Sequence, residues 1–339
     1  MSSPSTVSTP PELSLSHAPA PSAVDASRGP TRSLRQDAWR RFRRNPLALA
    51  GVVYLTLLVG VAVAAPVIAQ QNPVLADVKG AGSYRQAAWI TVDNPKQTGL
   101  WAYPLGTDSV GRDVLSRLIY GARVSLLVAF LPTVMILVVG VPVGLIAGYA
   151  GGRLDGLLMR LTDVVYAFPG LLFFIVMQVA LGETRFGQLL NGLVLLLVTL
   201  SVLSWTGVAR LVRGETLSLK EHEFVVAARA GGATASRVIS RHVLPNALGP
   251  VIVAAAFIAP GAIVAEAVLG YLGIGIRPDV RLDAPLPSSW GTMIFDGYRA
   301  WQSQPWMLIG PSLAVALTTL AFTFIGDGLR DALDVREGR

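Results

Sequence analysis

The side chains in this sequence that could do chemistry are few and scattered. Three histidines, His17, His222 and His242, stand at no metal-ligand spacing, and the lack of any cysteine removes thiolate ligands, thiol nucleophiles and disulfides. No GxxxxGK[ST] occurs. The three lysines, Lys79, Lys96 and Lys220, follow no glycine-rich loop, so the chain shows no phosphate cradle of its own. GxSxG and HExxH are also missing. Glu266 is the one clear acid inside an apolar run, and it lies late in that run, near the outer interface. A helix–helix contact suits that position better than a proton relay, whose acids sit nearer the midplane. Nothing in the pattern supports catalysis, and any energy source lies in another chain.

Recognition chemistry is better represented. Residues 210–250 form a polar, basic island between two long apolar runs. Within it Phe224, Ala227, Ala228 and Gly231 recur at i, i+3, i+4 and i+7, which predicts one face of a helix that is nearly bare apart from one ring. Gly231 and Gly232 provide a stop and a sharp turn, Thr234 can cap a second short helix, and Pro245 is expected to end it. A small-faced helix, a glycine break and a second helix make a docking element that another backbone can approach closely.

The elements around this island are read from composition. Of 339 residues 52% are hydrophobic and 14% charged, against about 25% charged in ordinary soluble domains, which points to the bilayer as solvent. Residues 1–33, rich in Ser, Pro, Ala and Thr, are expected to be a disordered tail. Residues 34–69 comprise a basic amphipathic lead-in, with Trp39 and Phe42 suited to the headgroup layer, and a first span over 47–69. Its Ala62-Val63-Ala64 resembles a signal-peptide cleavage site, but the run starts too far into the chain and is too long, so an uncleaved anchor is expected. Residues 70–121 form an extramembrane excursion. Further spans are expected at 124–150, 164–182, 186–209, 247–276 and 305–326, giving a five-helix core over 122–330, with a cytoplasmic loop over 210–247, and a short cytoplasmic tail over 331–339. Trp290, Phe295, Tyr298, Trp301 and Trp306 fit an outer aromatic belt.

Charge sets the orientation. Arginines 28, 32, 35, 40, 41, 43 and 44 precede the first span, and six basic residues lie in the island. By the positive-inside rule both termini, the short 151–163 loop and the island face the cytoplasm. The net charge of +7 resides in these juxtamembrane clusters, a pattern of lipid headgroups rather than of a nucleic-acid partner. Prolines at 66, 132, 142, 169, 260 and 311, with glycines at 140, 144, 148, 151 and 152, suit kinked, closely packed helices.

The island resembles the cytoplasmic EAA loop of bacterial ABC importer permeases. Ala227-Ala228, Gly232 and Leu244-Pro245 fall at that motif's spacing, whereas Val226 replaces its glutamate and His242 stands at its isoleucine position; Glu223 is the nearby acid. ArgArgAsnProLeuAlaLeuAlaGly (43–51), the stretch 104–126 beginning ProLeuGlyThrAspSerValGlyArgAsp, ArgLeuAspGlyLeuLeuMetArgLeuThrAspValValTyrAlaPhePro (153–169) and GlyAspGlyLeuArgAspAlaLeuAsp (326–334) are similar to the dipeptide/oligopeptide/nickel permease family, C-type subunit, over about 34–335. The resemblance implies an all-α, six-span permease of the type I ABC importer fold in a bacterial inner membrane. It also implies a heterodimer with a second related permease, two cytoplasmic ATPase subunits that bind the ATP, and an external substrate-binding protein. Under it, Glu223, Phe224, Ala227, Ala228, Gly232, His242, Leu244 and Pro245 contact or shape the contact with the ATPase. The solute is then a dipeptide or oligopeptide, or in other branches a nickel complex, glutathione, an opine or haem. An ion-coupled secondary transporter, which needs no ATPase, is the alternative reading.

Overall fold

The computed structural model of the chain describes residues 34–77, 80, 82–279 and 281–333; the expectations for residues 1–33 and 334–339 lie outside them. Among the described residues the architecture is helical, with no strand. The helices are α1 (Leu34–Phe42), α2 (Pro46–Ile68), α3 (Val114–Ala150), α4 (Gly152–Tyr166), α5 (Gly170–Leu181), α6 (Leu193–Leu219), α7 (Glu223–Ala230), α8 (Ala235–Val238), α9 (Leu244–Tyr271), α10 (Trp290–Ala300) and α11 (Pro305–Leu333). Five helical paths are long and apolar enough to cross a membrane, and α4 with α5, bent by 75°, makes a sixth if taken as one broken span.

Several expected boundaries move. The excursion ends at Asp113 rather than residue 121, because the Asp113 carboxylate caps α3 by accepting from the Ser116 N–H at 2.8 Å. The span expected at 164–182 is split at Ala167–Pro169. Pro169 has no N–H to continue the ladder and restricts Phe168 before it. The next span begins at Leu193 rather than 186 and runs ten residues past 209, absorbing the start of the basic island. The last helix continues to Leu333, so the first residues of the expected 331–339 tail are helical.

Close approach of two helices organises the bundle. Gly140, Gly144 and Gly148 of α3, spaced by four, share one face and rest on α6. A Cβ at Gly140 would lie 2.8 Å from the Trp205 carbonyl oxygen, one at Gly144 2.5 Å from that of Ala209, and one at Gly148 2.6 Å from Thr216 Cβ. Only hydrogen fits in this seam. In lipid, where tails are as apolar as leucine, such packing contact is what holds two helices together.

The ends of α3, α10 and α11 are tied by polar contacts to the 69–113 segment. Arg117, almost wholly buried, donates from Nη1 to Asp108 at 2.6 Å and from Nη2 to Asp296 of α10 at 2.9 Å. Arg112 Nε also reaches Asp108, at 2.7 Å. The Gln304 side chain donates to the Tyr84 carbonyl at 2.6 Å. Trp290 leaves the expected aromatic belt: it is buried against α3, where its indole N–H donates to the Leu118 carbonyl at 3.0 Å. Tyr298 and Trp301 stay exposed. Glu266 is fully buried between α9 and α10, a helix–helix position, with the Ser289 side chain and the Gly291 N–H facing it and no hydrogen bond of ordinary geometry formed.

The seam makes a differential prediction. Gly144→Leu forces α3 and α6 apart and should cost about 1–3 kcal/mol or more by overpacking. Gly156→Leu on α4, where a Cβ meets nothing within 4 Å, should leave stability unchanged. Thermal unfolding of the detergent-solubilised chain followed by circular dichroism checks this, with a lower Tm expected for the first variant alone.

Candidate functional site

Residues 220–243 leave the bundle at the end opposite the 69–113 segment and fold into two short helices. α7 starts at Glu223, whose carboxylate lies in the first turn, where the helix dipole favours negative charge. It ends in a complete Schellman motif. The Gly232 N–H donates to the Arg229 carbonyl at 3.0 Å and the Ala233 N–H to the Ala228 carbonyl at 3.1 Å. Gly232 stands at φ +81°, a conformation that costs any residue with a Cβ roughly 1–2 kcal/mol. Gly231, at φ −75°, is the last residue before the turn. Thr234 then caps α8, its hydroxyl oxygen accepting from the Arg237 N–H at 3.4 Å.

Pro245 does not end the second helix. It sits in the first turn of α9, and the chain is helical without a stop from Ala235 to Tyr271. A proline in that position would clash with the carbonyl of Arg241 in regular α-geometry. A π-helical turn over Ile239–Val243 opens the ladder there, with the Leu244 N–H reaching back to the Ile239 carbonyl. The Asn246 side chain donates to the His242 carbonyl at 2.6 Å. Leu244 and Pro245 therefore join α8 to α9 instead of separating them.

The face expected to be free is only partly so. Val225 is buried and Ala228 half-buried, both in a cluster with Ile136, Val208, Val212, Val238 and Val243. Glu223, Phe224, Val226, Ala227 and Gly232 are exposed, with Phe224 at 41% and Val226 at 50%. Phe224 lies between two imidazoles, its ring centroid 5.7 Å from that of His222 and 6.3 Å from that of His242. The structure thus gathers Phe224, Ala227 and His242 on one outer surface. It places Ala228 and Leu244 behind that surface and leaves Pro245 exposed on a separate cavity that Asp37, Ala38 and Arg41 of α1 also line. The valine anchors and His222 were not singled out by sequence reasoning. Val225, Val238 and Val243 have no helical periodicity that crosses the glycine turn, so no local pattern marks them as one cluster.

Two ion pairs reach this end from α6. Arg213 binds Asp155 through Nε at 2.5 Å and Nη2 at 2.7 Å, and Arg210 binds Asp163 at 2.7 Å while lying over the Tyr166 ring at 4.2 Å. Asp163 is thus paired. Among the described residues no group of histidines, aspartates and glutamates could hold a metal ion.

Residues 140–339 match the family described as the binding-protein-dependent transport system inner membrane component. The chain belongs to this family. Residues 33–86 also match the N-terminal transmembrane domain of oligopeptide transport permease C. The dipeptide transport system permease protein DppC of Bacillus subtilis is 39% identical over 313 residues, covering 92% of this chain and 88% of that one. The oligopeptide transport system permease protein OppC of Escherichia coli is 38% identical over 306 residues, covering 90% and 92%. A solved structure titled as an inward-facing conformation of the MetNI methionine ABC transporter superposes with a TM-score of 0.52 at 19% identity, over 65% of this chain and 97% of that one; this supports the fold alone. The permease is a multi-span inner-membrane transport subunit of helical fold.

The anchor cluster carries a prediction. Val225→Asp buries a carboxylate in an apolar cluster with no partner and should release α7, at a cost of several kcal/mol. Limited proteolysis of the membrane-embedded chain should then cut within residues 220–235 at least about tenfold faster, as expected when local opening sets the rate.

Proposed function

We propose that this permease passes a dipeptide or oligopeptide inward as one of two related permease subunits of a type I ABC importer. α7 and α8 dock on a cytoplasmic ATPase, and an external binding protein delivers the solute. Both termini and residues 220–243 lie in the cytoplasm in this reading. ATP is bound and hydrolysed by the partner ATPases, not by this chain. The peptide substrate follows the names carried by relatives that align over most of both chains.

The observation that carries the docking role is the exposed Phe224–Val226–Ala227 surface on a helix braced from behind by buried valines. An eight-residue helix is too short to persist alone in water. The apolar cluster fixes it, so its outward side can act as a rigid knob. Glu223 supplies an acid at the rim, in place of the glutamate that Val226 replaces. Because α8 continues into α9 through the π-turn, a push on this hairpin is delivered along a membrane-spanning helix.

The test is a bulky residue at the turn. Gly232→Trp places a ring on the docking surface and a Cβ at positive φ. In the reconstituted importer it should lower peptide uptake by about tenfold or more, a loss worth roughly 1.4 kcal/mol of coupling per factor of ten, while membrane insertion stays intact. Uptake equal to that of the parent protein rejects the docking role.

A further inference from the structure

We propose that Glu266 is a positioning residue of the transport cycle: its ionised carboxylate pins the head of α10 to α9, so that the outer end of the bundle and the cytoplasmic hairpin move together. This rests on the transport reading above but on none of the residues of the α7–α8 surface.

The place is closed. Glu266 lies about 33 Å along α9 from Leu244 at 1.5 Å per residue, at the outer end of that helix. None of its surface is exposed, and among the described residues neither carboxyl oxygen finds a hydrogen bond of ordinary geometry. A Cβ at Gly291 of α10 would lie 2.6 Å from its Oε1 and 2.8 Å from its main-chain carbonyl oxygen. Only hydrogen fits between the two helices here.

What the carboxyl faces is the head of α10. Ser289 caps this helix, its Oγ accepting from the Thr292 N–H at 3.1 Å and its carbonyl from the Met293 N–H at 3.1 Å. The N–H groups of Trp290 and Gly291 stand before the first closed turn, outside the ladder. That of Gly291 is turned toward Glu266, with the Ser289 side chain beside it. The head of a helix carries the positive end of its dipole, and the first turn of α10 holds no acid of its own. An N–H and a hydroxyl both donate, so the acceptor-only form of the acid, the ionised carboxylate, is the one they match. The open donors come from α10 and the buried anion aimed at them from α9.

Stability is a poor reason for such a group. A buried charge with incomplete hydrogen bonding is often no better for stability than a neutral or apolar residue of its size. What a charge adds over apolar contact is one defined register between its partners. Register matters at this point because the head of α10 is a junction. The Trp290 indole N–H donates to the Leu118 carbonyl of α3 at 3.0 Å, and Arg117 donates to Ser288 Oγ at 3.4 Å and to Asp296 at 2.9 Å. Arg117 also holds Asp108 of the 69–113 segment. Glu266 is the one charged side chain of α9, and the helical path it belongs to begins at Ala235 in the hairpin. Motion of that path reaches the outer segment through the contact of Glu266 with α10.

Two substitutions separate charge from shape. Glu266→Gln keeps the size and an acceptor but removes the charge, whereas Glu266→Asp keeps the carboxylate. Both are compared with the parent in the assembled importer in nanodiscs. Amide hydrogen exchange in a peptide covering residues 289–300 should be about tenfold faster in Glu266→Gln, with a peptide covering residues 193–206 of α6 unchanged. The second readout is ATP hydrolysis with saturating dialanine-loaded binding protein, divided by hydrolysis without it. A smaller folded fraction leaves that ratio unchanged, so a merely structural role does not move it. It should fall about fivefold or more in Glu266→Gln and stay above about half the parental value in Glu266→Asp. Parental exchange in Glu266→Gln, or exchange that quickens in α6 as well, overturns the pin. So does Glu266→Asp behaving no better than Glu266→Gln. A loosened α10 with a parental ratio overturns the positioning role. A parent importer whose hydrolysis the loaded binding protein does not raise defeats the transport reading and the coupling with it, while the exchange still decides whether the carboxylate pins α10.

Discussion

Hydrocarbon offers no hydrogen bond, and the long apolar helices of this chain are arranged around that fact. The long paths α2, α3, α6, α8–α9 and α11 satisfy most of their peptide groups within their own ladders. Once the backbones are self-satisfied, what remains to hold helices together is contact. The glycine seam of α3 on α6 supplies it by letting two main chains approach within reach of each other's Cα hydrogens. Proline inside a helix is admitted where the displaced carbonyl finds relief, as at Pro245, where the π-turn widens the ladder.

The seam and the peripheral hairpin are one packed unit. Ile136 of α3 and Val208 and Val212 of α6 share a cluster with Val225 of α7, Val238 of α8 and Val243 of the π-turn. Each buried valine is worth roughly 1.5–3 kcal/mol relative to exposure. That is enough for a few of them to outweigh the nucleation cost that leaves an isolated eight-residue helix unfolded. The hairpin is therefore braced on the best-packed part of the bundle, and its exposed Phe224 sits on a stiff base.

What could be read in the sequence is what local rules control. Apolar run length found the spans, because a slab of fixed thickness needs a fixed number of residues. Gly232 and Thr234 were legible because a left-handed turn and an N-cap each demand a particular residue type. Hydropathy does not register direction: Val165 and Leu171 look like one continuous run although the chain turns by 75° between them. Pro245 misled because a proline after a short helix normally ends it, and a π-turn leaves no mark in composition. The start of α3 was hidden by Arg117, whose charge reads as extramembrane. Its partner Asp296 is 179 residues away, and no local pattern foretells that pairing.

The same non-local contacts explain how the two ends of the molecule are mechanically joined. α9 spans 28 residues, about 42 Å at 1.5 Å per residue, and carries the π-turn at its start. Near its other end Gly270 lies against Gly291 of α10, where a Cβ would come 2.4 Å from the Gly291 carbonyl carbon, and Glu266 is enclosed beside it. α10 in turn holds Asp296 against Arg117, and Arg117 holds Asp108 of the 69–113 segment. A tilt imposed on α8 thus cannot be absorbed by a loop. It must either bend α9 at Pro250 or Pro260, the two prolines in its interior, or move α10 and the outer segment with it. Between those prolines and the outer contacts, close-packed backbone leaves no slack. Under such a tilt α9 would bend most easily at these prolines, on the half nearest the hairpin and at its middle.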